Sequence, residues 1–194
     1  PNVSGSESKV RLKLNDVIQG YSDKRIIVAC FASNIARVES ILNAAKNAGR
    51  KVALLGRSLS SMVQNALKCG YLQKFEDIIL DDIPSNYPDN KLLVVATGSQ
   101  GESKAALSRI AWQKHPDLKI QNGDVVIFSS RVIPGNEKAI HALQNMLCEC
   151  GATIITSDDE DIHVSGHPGQ EELKMMYSWL QPNWVIPVHG EFRH

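Results

Sequence analysis

The sequence predicts an α/β protein: a mainly parallel sheet with helices on both faces. Three observations carry this. Short apolar runs alternate with helical patterns along the chain. The runs are nearly continuous in Val, Ile, Leu and Ala, which is how strands read when helices cover both sides of the pleat. The composition is ordinary for a globular protein, with 194 residues, 43% hydrophobic and 22% charged. Alternation of this kind implies right-handed crossovers and parallel pairing.

The elements follow in order. Ser4 with Glu7 predicts a capping box, after which Val10, Leu14, Val17 and Ile18 share one helical face until Gly20. Strands are expected at 26–31, 52–55, 92–96, 125–128, 153–155 and 184–188. Ile35, Val38, Ile41, Leu42 and Ala45 predict a helix closing at Gly49. Ile140, Leu143, Met146, Leu147 and Cys150 predict another closing at Gly151, and Leu173, Met176, Tyr177 and Leu180 a third, stopped before Pro182. Residues 81–90, with two prolines, form the longest irregular connection, and nothing there divides the chain into two domains.

Charge and cysteine usage exclude several classes. Lys and Arg total 21 and Asp and Glu total 21, so a strongly basic nucleic-acid coat is excluded. A local phosphate site is not, because it needs only a few aimed donors. Cys30, Cys69, Cys148 and Cys150 form no disulfide framework and are expected as reduced core thiols. No apolar run approaches the roughly 20 residues of a membrane span, and the start lacks the pattern of a signal peptide. The expectation is a cytoplasmic protein with no membrane partner, and a start without Met reads as a piece of something longer.

In an open parallel sheet, ligands bind beyond the carboxyl ends of the strands, where loops feed helix N-termini. Those ends carry Ser33 and Asn34, then Arg57 and Ser58, then Gly98, Ser99, Gln100 and Gly101, then Ser129, Ser130 and Arg131, and finally Ser165, Gly166 and His167. Small, hydroxyl-bearing residues at successive ends suit an oxyanion, with Arg57 and Arg131 as charge partners. The plainer reading is that Ser, Asn and Gly cap helices, as in any α/β protein. No dinucleotide fingerprint or P-loop is present, which argues against redox and ATPase functions. Among the histidines, His189 ends an apolar strand pattern just before Gly190 and is a candidate metal ligand or proton carrier. His163 reads as structural, and His115 and His141 as solvent-facing. Phe31 is the one aromatic suited to stack on a base, although a core role competes with that. The acidic run at 158–161 reads as a solvated turn.

Six phrases occur together: Phe31-Ala-Ser-Asn-Ile35, Gly56-Arg-Ser58, Thr97-Gly-Ser-Gln-Gly-Glu102, Ile133-Pro-Gly-Asn-Glu137, His163-Val-Ser-Gly-His167 and Pro187-Val-His-Gly-Glu191. In this order they resemble the ribonuclease J family of the metallo-β-lactamase superfamily, in its β-CASP region. The 22 residues from His167 to His189 are also similar to that family's spacing of two functional histidines. The resemblance implies one β-CASP domain over 1–194, excised from a longer chain, with about 184–194 re-entering an absent metallo-β-lactamase domain. It implies a zinc-dependent ribonuclease with 5′-to-3′ exonuclease and endonuclease activity, two zinc ions in the parent, and 5′-monophosphorylated single-stranded RNA as substrate. A homo-oligomer or an RNA-degrading complex is implied for the parent.

On matching positions, the resemblance makes His189 the last metal ligand and His167 the histidine beside the scissile phosphate. Ser165 and Gly166 help hold the terminal phosphate. Ser33, Asn34, Arg57, Ser58, Gly98, Ser99 and Arg131, from the strand-end reading, are expected as further RNA or phosphate contacts. The His-x-His-x-Asp-His signature is missing from these residues, so the fragment alone is expected to be inactive. The competing expectation is a non-catalytic phosphate- or sugar-phosphate-binding α/β module.

Overall fold

A computed structural model describes residues 3–72, 79–80, 82–84 and 87–188. The chain forms two compact units, Ser6–Val164 and a smaller one from Pro1–Gly5 with Ser165–His194.

The larger unit is the predicted α/β layer structure. Its elements are α1 (Glu7–Gly20), β1 (Ile26–Ala29), α2 (Ile35–Asn47), β2 (Lys51–Leu55), α3 (Arg57–Lys68) and β3 (Ile79–Leu80). After one 3₁₀ turn, Asp89–Lys91, come β4 (Leu92–Ala96), α4 (Ala106–Ala111), β5 (Val125–Phe128), α5 (Glu137–Glu149) and β6 (Thr153–Ile155). The six strands lie in the order β3-β2-β4-β1-β5-β6. Every described pairing is parallel, with Ile26 of the central β1 opposite Leu93 on one side and Val125 on the other.

Alternation along the strands splits the core in two. Ile26, Val28, Leu93, Val95, Val125 and Ile127 pack under α1, α2 and α3. Ile27, Ala29, Val94, Ala96, Val126 and Phe128 pack under α4 and α5. Both sheet faces are therefore dry, which is why the strands read as unbroken apolar runs.

Several sequence expectations are corrected. The cap of α1 is Ser6, whose hydroxyl accepts from Lys9 N, and not Ser4. Ser4 lies in the smaller unit, where its N and Oγ donate to Glu172 Oε2 at 2.9 and 2.6 Å. Helices α3 and α4 and strand β3 are additions. Of the thiols only Cys30 is buried, and its surroundings push it up to about 12, burial being the main cause. Cys69, which caps the end of α3, and Cys148 on α5 are exposed. His115 is buried at 8% exposure, not solvent-facing, and its Nδ1 accepts from Asp117 N at 3.3 Å. The 81–90 connection lies partly outside the described residues.

The smaller unit holds α6 (Gln170–Leu180). Glu172 closes its first turn by accepting from Gly169 N at 2.6 Å. Those bonds from Ser4 and Gly169 hold the Glu172 carboxyl below its ordinary range. No residue of α6 is buried, and Trp179 is 73% exposed. The strand expected at 184–188 is absent: the segment pairs with nothing among the described residues, and Trp184 is 90% exposed. An apolar run becomes a strand only when a neighbour takes its N–H and C=O groups.

Candidate functional site

The parallel sheet places every strand's carboxyl end on one edge, so four of the predicted loops converge there. β1 is flanked by β4 and β5. The helix after β1 packs on one face, and those after β4 and β5 pack on the other. Loops that diverge in this way leave crevices beside the β1 loop, the usual place for a ligand.

In the β1 loop, Ser33 is exposed, and Asn34 caps α2 by accepting from Arg37 N at 3.1 Å. Arg57 and Ser58 are exposed in the first turn of α3, which has no side-chain cap. Gly98 and Ser99 are buried, and Arg131 is exposed. Asn34 therefore already serves as a helix cap. Arg57, Ser58, Ser33 and Arg131 are the members presented to solvent.

Gln100 joins two of these loops, a role that sequence reading missed. Only 5% exposed, it donates from Nε2 to Arg131 O at 2.9 Å, and its Oε1 accepts from Ile133 N at 2.9 Å and Asn136 Nδ2 at 3.3 Å. Its own N donates to Glu102 Oε2 at 3.0 Å. One amide thus ties the β4 loop to the β5 loop. Its only signal in the sequence was a large amide among Gly and Ser.

Gly101 lets the β4 loop approach α5. Its φ is +77°, and a Cβ there would sit 2.6 Å from the Ala139 carbonyl carbon and 2.7 Å from its oxygen. Backbone in a helix cannot step aside, so Gly101→Ala is expected to cost about 2–3 kcal/mol through overlap and left-handed strain. A thermal-melting comparison checks this, and an unchanged midpoint would refute the close approach.

His163 stands at the end of the larger unit. Its Nδ1 is buried and has no hydrogen-bond partner among the described residues. Burial first, then the Arg37 and Arg131 charges, hold the ring below its ordinary value, with Glu7 and a hydrogen bond to the Ser129 backbone opposing. His115 is lowered as well, mainly by burial, with Arg109 adding to the shift and Asp117 opposing it. A histidine whose folded-state pKa is depressed stays neutral while the unfolded chain takes up a proton. Stability is therefore expected to fall as pH drops below 6.5, the ordinary value of both groups. Melting midpoints from pH 7.5 to 5 should decline, and less steeply in a His115→Gln, His163→Gln double variant. Equal slopes would overturn this assignment.

In the smaller unit, the His167 backbone N donates to Ser165 Oγ at 3.1 Å. Gly166 and His167 are exposed and Ser165 is half-buried. The hydroxyl folds the motif into a short turn and leaves the His167 imidazole free to meet a ligand. His189 lies outside the described residues.

A family model described as "Ribonuclease J, beta-CASP domain" matches residues 23–147. The chain belongs to the ribonuclease J family. A second model, described as "Zn-dependent metallo-hydrolase RNA specificity domain", matches residues 159–194. Ribonuclease J of Corynebacterium glutamicum is 42% identical over 100% of this chain and 27% of its own length. Ribonuclease J of Sinorhizobium meliloti is 42% identical over 99% of this chain and 34% of its own length. Ribonuclease J2 of Bacillus subtilis is 39% identical over 100% of this chain and 35% of its own length. The chain thus spans about a third of the length of these relatives. The β-CASP fold expected from the motifs is the one observed.

Proposed function

We propose that this chain is the RNA-clamping part of a metal-dependent ribonuclease J, which cuts single-stranded RNA from a 5′-monophosphate end and internally during RNA processing and decay, ribosomal RNA included. The observation that carries this is the match to ribonuclease J relatives along the whole of this chain, on a fold whose hydroxyl- and glycine-rich loops share one sheet edge. In this reading Ser165, Gly166 and His167 meet the phosphate nearest the cut. Ser33, Asn34, Arg57, Ser58 and Arg131 line the RNA path, and Gly98 and Ser99, which are buried, belong to the loop beneath it. His167 stabilises charge on the scissile phosphate or hands a proton to the leaving oxygen.

Were a zinc pair bound in the full-length protein, the chemistry it would supply is activation of water at neutral pH. Among the described residues no group of three His, Cys, Asp or Glu could hold a metal, so those residues do not fit the pair. His189 is proposed as one ligand, with the rest of the full-length protein supplying the others.

The domain boundary belongs to the same proposal. The exposed apolar residues Met176, Trp179, Trp184 and Ile186 pack against the metallo-β-lactamase domain, and about 184–194 complete a strand there. No described helix is long and apolar enough to cross a membrane, and a cytoplasmic site of action is proposed. Assembly as a homo-oligomer or in an RNA-degrading complex is proposed for the parent.

The test is cleavage of end-labelled RNA by the full-length protein with zinc or manganese. Mononucleotides should be released from a 5′-monophosphate end faster than from a triphosphate end, together with internal cuts. The 194-residue chain alone should release nothing and hold far less than one zinc. If the full-length protein leaves RNA intact and instead binds small phosphorylated sugars, the non-catalytic phosphate module is the correct reading.

A further inference from the structure

Arg37 is a charged residue with 0% exposure, and nothing in the roles above uses it. Its guanidinium faces two ways. Nε and Nη2 donate to the two carboxylate oxygens of Glu7 at 2.8 and 2.9 Å. Nη1 donates to Ser129 O and Ser129 Oγ, both at 2.8 Å, and to Ile162 O at 3.1 Å. The Ser129 hydroxyl, which accepts that bond, donates its own hydrogen bond to Ile162 O at 2.7 Å. The Ile162 carbonyl is thereby gripped twice, from α2 and from the end of β5.

Ile162 directly precedes His163-Val-Ser-Gly-His167. Among the described residues, the backbone groups of His163, Val164, Ser165 and Gly166 make no hydrogen bond to other backbone. The last firm anchor before the motif is therefore a side-chain clamp. We propose that Arg37 and Ser129 are positioning residues for the His163–His167 segment, setting where the chain leaves the sheet and hence where the motif meets RNA. This rests on the nuclease reading. A catalytic group displaced by about 1 Å can lose on the order of 10²-fold in rate, so a clamp one residue away reaches the chemistry without touching substrate.

The experiment uses the full-length, metal-loaded protein with Ser129→Ala, which keeps the Arg37–Glu7 pair, and Ser129→Thr, which restores a hydroxyl. For Ser129→Ala, the rate at saturating 5′-monophosphorylated RNA is expected to fall at least tenfold with KM changed less than threefold. The Ile162 amide, which donates to Glu160 O at 2.6 Å, should exchange its hydrogen at least tenfold faster while β1 amides keep wild-type exchange. Ser129→Thr should recover most of both. Wild-type rate and exchange in Ser129→Ala would overturn the proposal. So would a rate loss that only tracks the unfolded fraction, with exchange raised equally across the sheet. If the wild type cuts no RNA, the nuclease reading fails by itself, and Ile162 exchange still decides whether the clamp exists.

Discussion

Arg37→Met is expected to destabilise the larger unit by about 3 kcal/mol, at the lower end of the roughly 3–5 kcal/mol for breaking a buried ion pair. The size follows from what is left behind. Glu7 loses its bidentate partner and keeps only the weaker Ser40 hydroxyl, at 3.2 Å. The Ser129 and Ile162 carbonyls lose charge-assisted donors in a site that water does not reach. The value is at the lower end because the Glu7 side chain is 25% exposed and can recover part of its hydration. In a protein of this size the shift corresponds to about 6–12 °C in Tm. Adding Glu7→Gln should return part of the loss, since the stranded charge goes with it. Urea unfolding of the single and double variants measures both; a single-variant cost under 1 kcal/mol means the pair is not closed in solution.

That cluster also marks what the sequence could and could not disclose. The strands were legible because burial on both faces leaves an apolar run with no polar alternation, as in Leu92–Ala96. The apolar residues filling α2 were legible for the same kind of reason. Arg37, however, sits among Ile35, Val38 and Ile41, and a charged residue in such a stretch reads as the solvent side of the helix. Only a distant carboxylate, Glu7, makes its burial affordable, and pairing over 30 positions leaves no local trace. The same holds for Ser6, which was passed over because Ser4 with Glu7 satisfies the local capping rule while Glu7 is already committed to Arg37. Residues 184–188 fail in the opposite direction: the pattern is a strand's, and no described residue pairs with it. At the site, the loops at the strand ends were identified from sequence, but which of them present side chains to solvent was not. Ser99 and Asn34 look like Ser58 and Ser33 on paper, and only packing separates a buried or capping residue from a free one.

His167→Ala in the full-length protein is expected to lower kcat/KM on 5′-monophosphorylated RNA by at least about 10²-fold, the usual contribution of a positioned acid–base or charge-stabilising side chain. The structure makes this variant unusually clean. His167 is exposed, and its only described hydrogen bond is from its backbone N to Ser165 Oγ, which alanine retains. Tm should therefore stay within a degree or two, and a rate loss cannot be assigned to unfolding. Two further variants separate chemistry from binding. Ser165→Ala opens the turn and removes a hydroxyl, so it should act mainly on KM, whereas His167→Ala should act mainly on kcat. His189→Ala should empty the metal site, while His167→Ala should keep its zinc. An enzyme that loses zinc with His167 assigns that ring to the metal, and one that loses neither zinc nor rate assigns the cut to some other residue.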